Sequence, residues 1–218
     1  MQGLSVTASG RSNVRRGSRE VGERILEAAA RVFGAKGYEA ARVIDVARLC
    51  GLSTGAVYSR WPTKRELFVA AVEQHGSRNT LSVSTRADLT TAQKLAALGG
   101  GLIDTQRDDE AGNLMLEACV SARRDPSLRA DLARALDIEA DVLTQIVDHG
   151  KATGEIDQTL STEAIVLSCQ TLSLGVRLAA LAKPRSSGPP TEGAWNELME
   201  RFIGSIRPTG PKPTADND

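Results

Sequence analysis

Side chains able to do covalent or metal chemistry are few and scattered in this 218-residue chain. His75 and His149 are the only histidines and stand far apart, and no Ser-His-Asp set, Walker-type loop or Cys-x-x-Cys spacing occurs. Cys50, Cys119 and Cys169, an odd number set far apart in apolar helical patterns, argue against a disulfide framework or a zinc site and suit a reducing cytoplasm. The concentrated chemistry is of another kind. Between Arg42 and Lys64 two short helical periods meet at Cys50-Gly51-Leu52 and carry a cluster of small polar residues, a tyrosine and cations. Reading the major groove of double-stranded DNA calls for such a pair, because the groove admits one helix and a second must brace it across the backbone.

The elements that must position this pair follow from periodicity. Residues 1–17 are rich in Ser, Gly and Arg without apolar period, which predicts a disordered arm. From Ser18 a first helix places Val21, Ile25, Ala28, Ala29, Val32 and Phe33 on one stripe and stops at Gly34 and Gly37. Val43, Val46, Ala47 and Cys50 define a short second helix closed by Gly51. Ser53 caps a third of about two turns, which ends before Pro62, and Val46, Ala47, Leu52 and Val57 form the inward set that holds the second and third helices at their angle. Thr63 and Glu66 make a T-x-x-E capping box that opens a fourth helix. Longer amphipathic helices follow over about 90–106, 110–122, 126–150, 162–183 and 191–206, with Asp125-Pro126 and Ser161 as starts and KPRSSGPP, 183–190, as a break. The fold class is all-α, and the expected organisation is an arm (1–17), a three-helix helix-turn-helix domain (18–62), a helical ligand-binding and dimerisation domain (63–207) and a disordered tail (208–218).

A formal net charge of zero hides a division along the chain. Residues 1–76 hold 12 Lys/Arg against 7 Asp/Glu, and residues 77–218 hold 15 against 20, so the first part is +5 and the second −5. The basic end can face phosphate and the acidic remainder cannot easily do so. The N-terminus lacks an apolar stretch of signal-peptide length, and the longest uncharged helical run, Ala164–Val176, is too short to span a bilayer. The expectation is a cytoplasmic protein that associates with the nucleoid when bound to DNA and has no membrane partner.

The run GYEAARVIDVARLCGLSTGAVYSRWPTKRELF, Gly37 to Phe68, resembles the tetracycline-repressor (TetR) family. The detailed match covers about Ile25 to Val72; beyond it the chain is similar to the family in its helical succession and in a DPxLR-like start at Asp125. The resemblance implies a third helix in the major groove. Thr54, Gly55 and Ala56 would then lie against base edges, and Tyr58, Ser59 and Arg60 would reach bases or phosphates. Lys64 and Ser53 would contact phosphate at helix N-termini. Arg42 stands where the family usually has a capping Ser or Thr, so that cap is missing, and Arg42 either reaches a phosphate or stays solvated. Small residues at 54–56 leave little direct hydrogen-bond readout, which shifts specificity toward Arg60, thymine methyl contacts or DNA shape.

In the family the second half binds a small molecule and pairs two subunits. The sequence supports pairing independently: Trp195, Leu198, Met199, Phe202, Ile203 and Ile206 form one stripe, and Leu172, Val176, Ala179 and Ala180 a partly small-residue face opposite. Between Val69 and Ala194 there is no Phe, Tyr or Trp, so a pocket there is walled by aliphatics and by residues such as Leu102, Met115, Cys119, Cys169 and Leu172. That favours a flexible aliphatic effector over a planar cationic one. The expected function is a ligand-responsive regulator, a repressor, that binds a pseudo-palindromic operator as a homodimer without cofactor, metal or catalysis. Two rivals stand beside it. One is a protein of the same fold that answers to a protein partner or organises the chromosome; the other is a helical enzyme with a DNA-binding module.

Overall fold

The computed structural model describes residues 7–100, 113–182 and 191–208. The order is α1 (Thr7–Ala40), α2 (Val43–Leu49), α3 (Thr54–Tyr58), α4 (Lys64–Ser84), α5 (Thr91–Gly100), α6 (Leu114–Ala122), α7 (Pro126–Thr153), α8 (Thr162–Ala182) and α9 (Glu192–Gly204), with no strand among the described residues. The helix starts follow from side chains that accept orphan backbone N–H groups. Ser53 Oγ accepts from Ala56, Thr63 Oγ1 from Glu66, Asp125 Oδ1 from Ser127 and Leu128, Ser161 Oγ from Ala164, and Thr191 Oγ1 from Ala194. The tail expected over 208–218 and the break over 183–190 fall almost wholly outside the described residues.

Two expected limits differ from the structure. Helix α1 begins at Thr7, not Ser18, because adding residues to a helix already nucleated by the Ile25–Phe33 stripe costs little. Helix α7 continues through Gly150 to Thr153. Gly150 is there for close approach, since a Cβ would lie 2.6 Å from Thr91 Cγ2 and 2.8 Å from Ile156 Cδ1. Gly150→Ala, which improves helix propensity, should therefore destabilise the protein by about 1–3 kcal/mol through overpacking. Differential scanning calorimetry reads this as a lower midpoint; an unchanged or higher one would show that the contact yields.

The chain divides into two compact units, residues 1–75 with 109–132, and 76–108 with 133–218. In the first, Ile25, Ala29, Phe33, Val46, Val57, Leu67 and Phe68 form a buried core, and the rings of Phe33 and Phe68 meet edge-on at 5.0 Å. Helix α6 packs against α1 with Leu114, Ala118 and Ala122 buried. The division expected at residue 63 therefore differs from this grouping, in which α6 and the start of α7 belong with the first helices. A three-helix piece buries too little apolar surface alone, and α6 supplies the missing cover. In the second unit, α5 packs on α8 and α9 around Leu95, Leu98, Leu143, Val147, Ile156 and Ile165.

Candidate nucleic-acid interface

The turn between α2 and α3 is built by backbone hydrogen bonds. Leu52 N–H donates to Ala47 O at 2.8 Å and Gly51 N–H to Arg48 O at 3.2 Å, with Gly51 at φ 69°, a left-handed conformation that favours glycine. Val46, Ala47 and Val57 are buried beneath the turn, while Leu52 is half-buried. Arg24 of α1 adds a tie that sequence reasoning missed: its Nη2 donates to Cys50 O at 2.9 Å, placing a cation at the C-terminal end of α2. An arginine 26 residues upstream gives no local signal of that role.

On the outer side, Ser53, Gly55, Tyr58, Ser59 and Arg60 are exposed and Thr54 and Ala56 are half-buried. The first turn of α3 thus offers small side chains and free edges, with Tyr58 45% exposed at its end. Ser59 Oγ donates to Ala56 O, and Arg60 Nη1 donates to Ser18 Oγ at 3.2 Å, so Arg60 folds back along α1. Arg42 takes the N-cap position of α2 in extended backbone with no side-chain cap hydrogen bond, as the missing Ser or Thr implied. Asp45, in the first turn of α2, is held below the usual carboxylate range by the ammonium of Lys36 at 2.9 Å.

Lys64, at the start of α4, is engaged within the chain. Its Nζ donates to the carbonyls of Tyr38, Glu39 and Ala41 at 2.8, 3.1 and 3.3 Å and lies 4.6 Å from the centre of the Tyr38 ring. An ammonium has three protons, and these carbonyls take all three. The lysine closes the end of α1, where carbonyls left over from the helix concentrate negative charge. Next to it, Arg65 joins α4 to α7, with Nε and Nη2 donating to Asp131 Oδ2 at 3.0 and 2.6 Å and Nη2 also to Ser127 O.

In the second unit a cavity of about 170 Å³ lies between α5, α8 and α9, walled by residues including Leu95, Gly99, Cys169, Leu172 and Met199. Of the residues expected at a ligand, Cys169 and Leu172 line it; Met115 and Cys119 are on α6 in the first unit, and Leu102 lies outside the described residues. The wall is not wholly aliphatic, because α9 brings Phe202 to it. Its serines are already engaged, Ser168 donating to Ala164 O and Ser161 to Glu163.

The expected pairing stripe splits in two. Met199 and Ile203 are buried within the chain, whereas Leu198 and Phe202 are 55% and 48% exposed, Trp195, Leu172 and Val176 half-buried, and Ala179 exposed. One edge of a wide stripe faces α5 and the other is left outward. Leu167, Leu178 and Leu181 on α8 are also exposed, at spacings of 11 and 14 residues that sequence reasoning missed.

Burial pushes the Cys169 thiol up to about 11, with the Glu139 charge adding to it, and burial also raises Cys119. The thiolate is the nucleophile, so native Cys169 should resist iodoacetamide at neutral pH. Above about pH 9 the unfolded chain releases this proton and the folded one retains it, so this thiol makes stability fall by roughly 1.4 kcal/mol per pH unit until about pH 11. Urea titrations at pH 8.5 and 10.5 of the protein and of Cys169→Ala read this as a fall that the variant lacks in part; equal falls would remove the assignment.

Two family models match successive stretches of the chain. Residues 25–71 match the family described as Bacterial regulatory proteins, tetR family, and residues 91–208, more than half of the chain, match BetI-type transcriptional repressor, C-terminal. The chain is similar to the HTH-type transcriptional repressor AcnR of Corynebacterium efficiens, 26% identical over 185 residues that cover 85% of this chain and 92% of the relative. Among solved structures it is similar to a TetR-family transcriptional regulator from Rhodococcus sp., with TM-score 0.74, 22% identity and coverage of 87% of this chain and 100% of that one. It is also similar to the regulator FadR of Bacillus subtilis in complex with stearoyl-CoA, with TM-score 0.59, 19% identity and coverage of 84% and 97%. At these identities the structural likeness is one of fold.

Proposed function

This chain belongs to the tetR family of bacterial regulatory proteins, and from that premise we propose that it represses transcription as a homodimer on a pseudo-palindromic operator and is released by a small apolar effector. The observation that carries the DNA side is the glycine-turned pair α2–α3, whose inner residues are buried and whose outer edge, from Ser53 to Arg60, is open. Arg42, Ser53, Tyr58 and Ser59 are the residues assigned to phosphates or bases. Thr54, Gly55 and Ala56 let α3 approach the base edges closely, and Arg60 reaches DNA by exchanging Ser18 for it. Two such helices in a two-fold dimer read inverted half-sites, which one five-residue helix cannot do with useful affinity.

The exposed leucines of α8 and α9 support pairing, since apolar side chains gathered on two neighbouring helices are what an interface between copies requires. The protein works in the cytoplasm, where its DNA is. The cavity between α5, α8 and α9 is the effector site in this reading, and it favours a small molecule over a controlling protein partner. At about 170 Å³ it is close to the engineered apolar cavities of ~150 Å³ that take up benzene, so an occupant of that scale, uncharged where it contacts the wall, fits without rearrangement. A stearoyl chain would need the cavity to open.

Titrating operator binding against salt tests the reading. Several phosphate contacts predict a log–log slope of about −0.9 for each, and a slope near zero would overturn it. Thermal shifts with neutral monocyclic or short-chain compounds test the effector class; tight binding of planar cationic dyes with no response to these compounds would remove it.

A further inference from the structure

The corner between α1 and α2 is clamped from two sides. At Gly37 the backbone takes φ 77° and ψ 159°, a conformation essentially reserved for glycine, and the regular helix stops. That break frees the Tyr38 N–H, which donates to Glu117 Oε1 of α6 at 2.7 Å. Ser121, one turn further along α6 and buried, donates its hydroxyl to the same oxygen at 2.8 Å and fixes the carboxylate's direction. The other carboxylate oxygen lies 3.4 Å from where a Cβ on Gly37 would be. On the carbonyl side of the same corner, Lys64 gathers the oxygens of Tyr38, Glu39 and Ala41. Two residues later α2 begins, without a side-chain cap of its own.

We infer that Glu117 is a specificity-determining positioning residue for DNA reading: from α6 it fixes the Gly37–Ala41 corner and with it the angle at which α2 carries α3 into the groove. A helix of seven residues with an uncapped start takes its direction from what precedes it, and what precedes it is held by one carboxylate at its N–H end and one ammonium at its carbonyl end. Glu117 touches no DNA. It acts by registering the reading helices, so its loss blurs base discrimination and leaves the general attraction of the basic unit for phosphate intact.

The experiment uses the full chain and a duplex selected by it from random sequence, with a scrambled duplex as the non-specific reference. Glu117→Ala should weaken binding to the selected duplex at least tenfold, leave binding to the scrambled one within twofold, and speed hydrogen exchange at the Tyr38 amide. Glu117→Gln retains an acceptor for both donors and should stay within about threefold of the parent. Ser121→Ala keeps the carboxylate and removes its guide, and should fall between. A protein that is merely less stable loses both duplexes in proportion to its unfolded fraction, and that result would overturn the proposal. An unchanged ratio between the two duplexes in Glu117→Ala would do so as well. Should that variant not fold, the Gln and Ser121→Ala proteins decide: equality of both with the parent overturns the proposal, and Ser121→Ala weakened on the selected duplex alone sustains it.

Discussion

Replacing Leu178 and Leu198 together by glutamate should convert the protein to a monomer and reduce operator affinity by at least about 100-fold. Both side chains are more than half exposed, on α8 and α9, and neither lines the cavity, so the change leaves the chain's own core alone. Bringing them together between copies buries apolar surface, and placing four carboxylates there puts unpaired charges in a desolvated contact. The size of the loss comes from linkage. A dimer that has bound one half-site meets the second at an effective concentration that multiplies affinity by about 10² to 10⁴, and a monomer loses that factor without losing a single protein–DNA contact. Sedimentation should show a single species near the monomer mass, 23.1 kDa, with folded circular dichroism. A variant still dimeric, or a monomer with unimpaired operator binding, would refute this interface.

The second large effect is expected at Lys64. Removing its side chain in Lys64→Ala takes the cation from three carbonyls at the end of α1 and from the face of Tyr38. Hydrogen bonds to charged groups are worth about 1.5–3 kcal/mol, so a loss of roughly 2–3 kcal/mol follows, which is about 5–10 °C for a chain of this length. Lys64→Met, which keeps the apolar stem, should recover little of it. The phosphate role that the resemblance implied makes a different forecast, in which stability is unaffected and the salt slope of operator binding flattens by about one. Thermal melts and salt titrations of the same two variants therefore separate the roles.

What made the helices legible was short-range. Ser53, Thr63, Asp125, Ser161 and Thr191 each announce a start within three residues, and the stripe Ile25 to Phe33 announces a face, so the element order and these capped starts could be read almost to the residue. The site was legible where its parts are local, as in the Gly51 turn and the uncapped start at Arg42. It was not where the partner is distant. Arg24 to Cys50, Glu117 to Tyr38 and Arg65 to Asp131 span 26, 79 and 66 residues, and nothing in the spacing of a lone charged residue says which helix end it will meet. The same limit explains Gly150, where a glycine that looks like a stop is a contact made by packing with Thr91 and Ile156. It also explains the cavity, where α9 brings Phe202 from beyond the aromatic-free stretch between Val69 and Ala194.

Repression of this kind requires sequence-specific binding to double-stranded DNA by a two-fold dimer. Selection of bound duplexes from a random pool by the full-length protein, followed by sequencing, tests it most directly. The expected result is enrichment of two inverted half-sites whose centres lie about one helical turn, or a multiple of it, apart. A pool with no enriched sequence, or one enriched in a single unrepeated site, would contradict it.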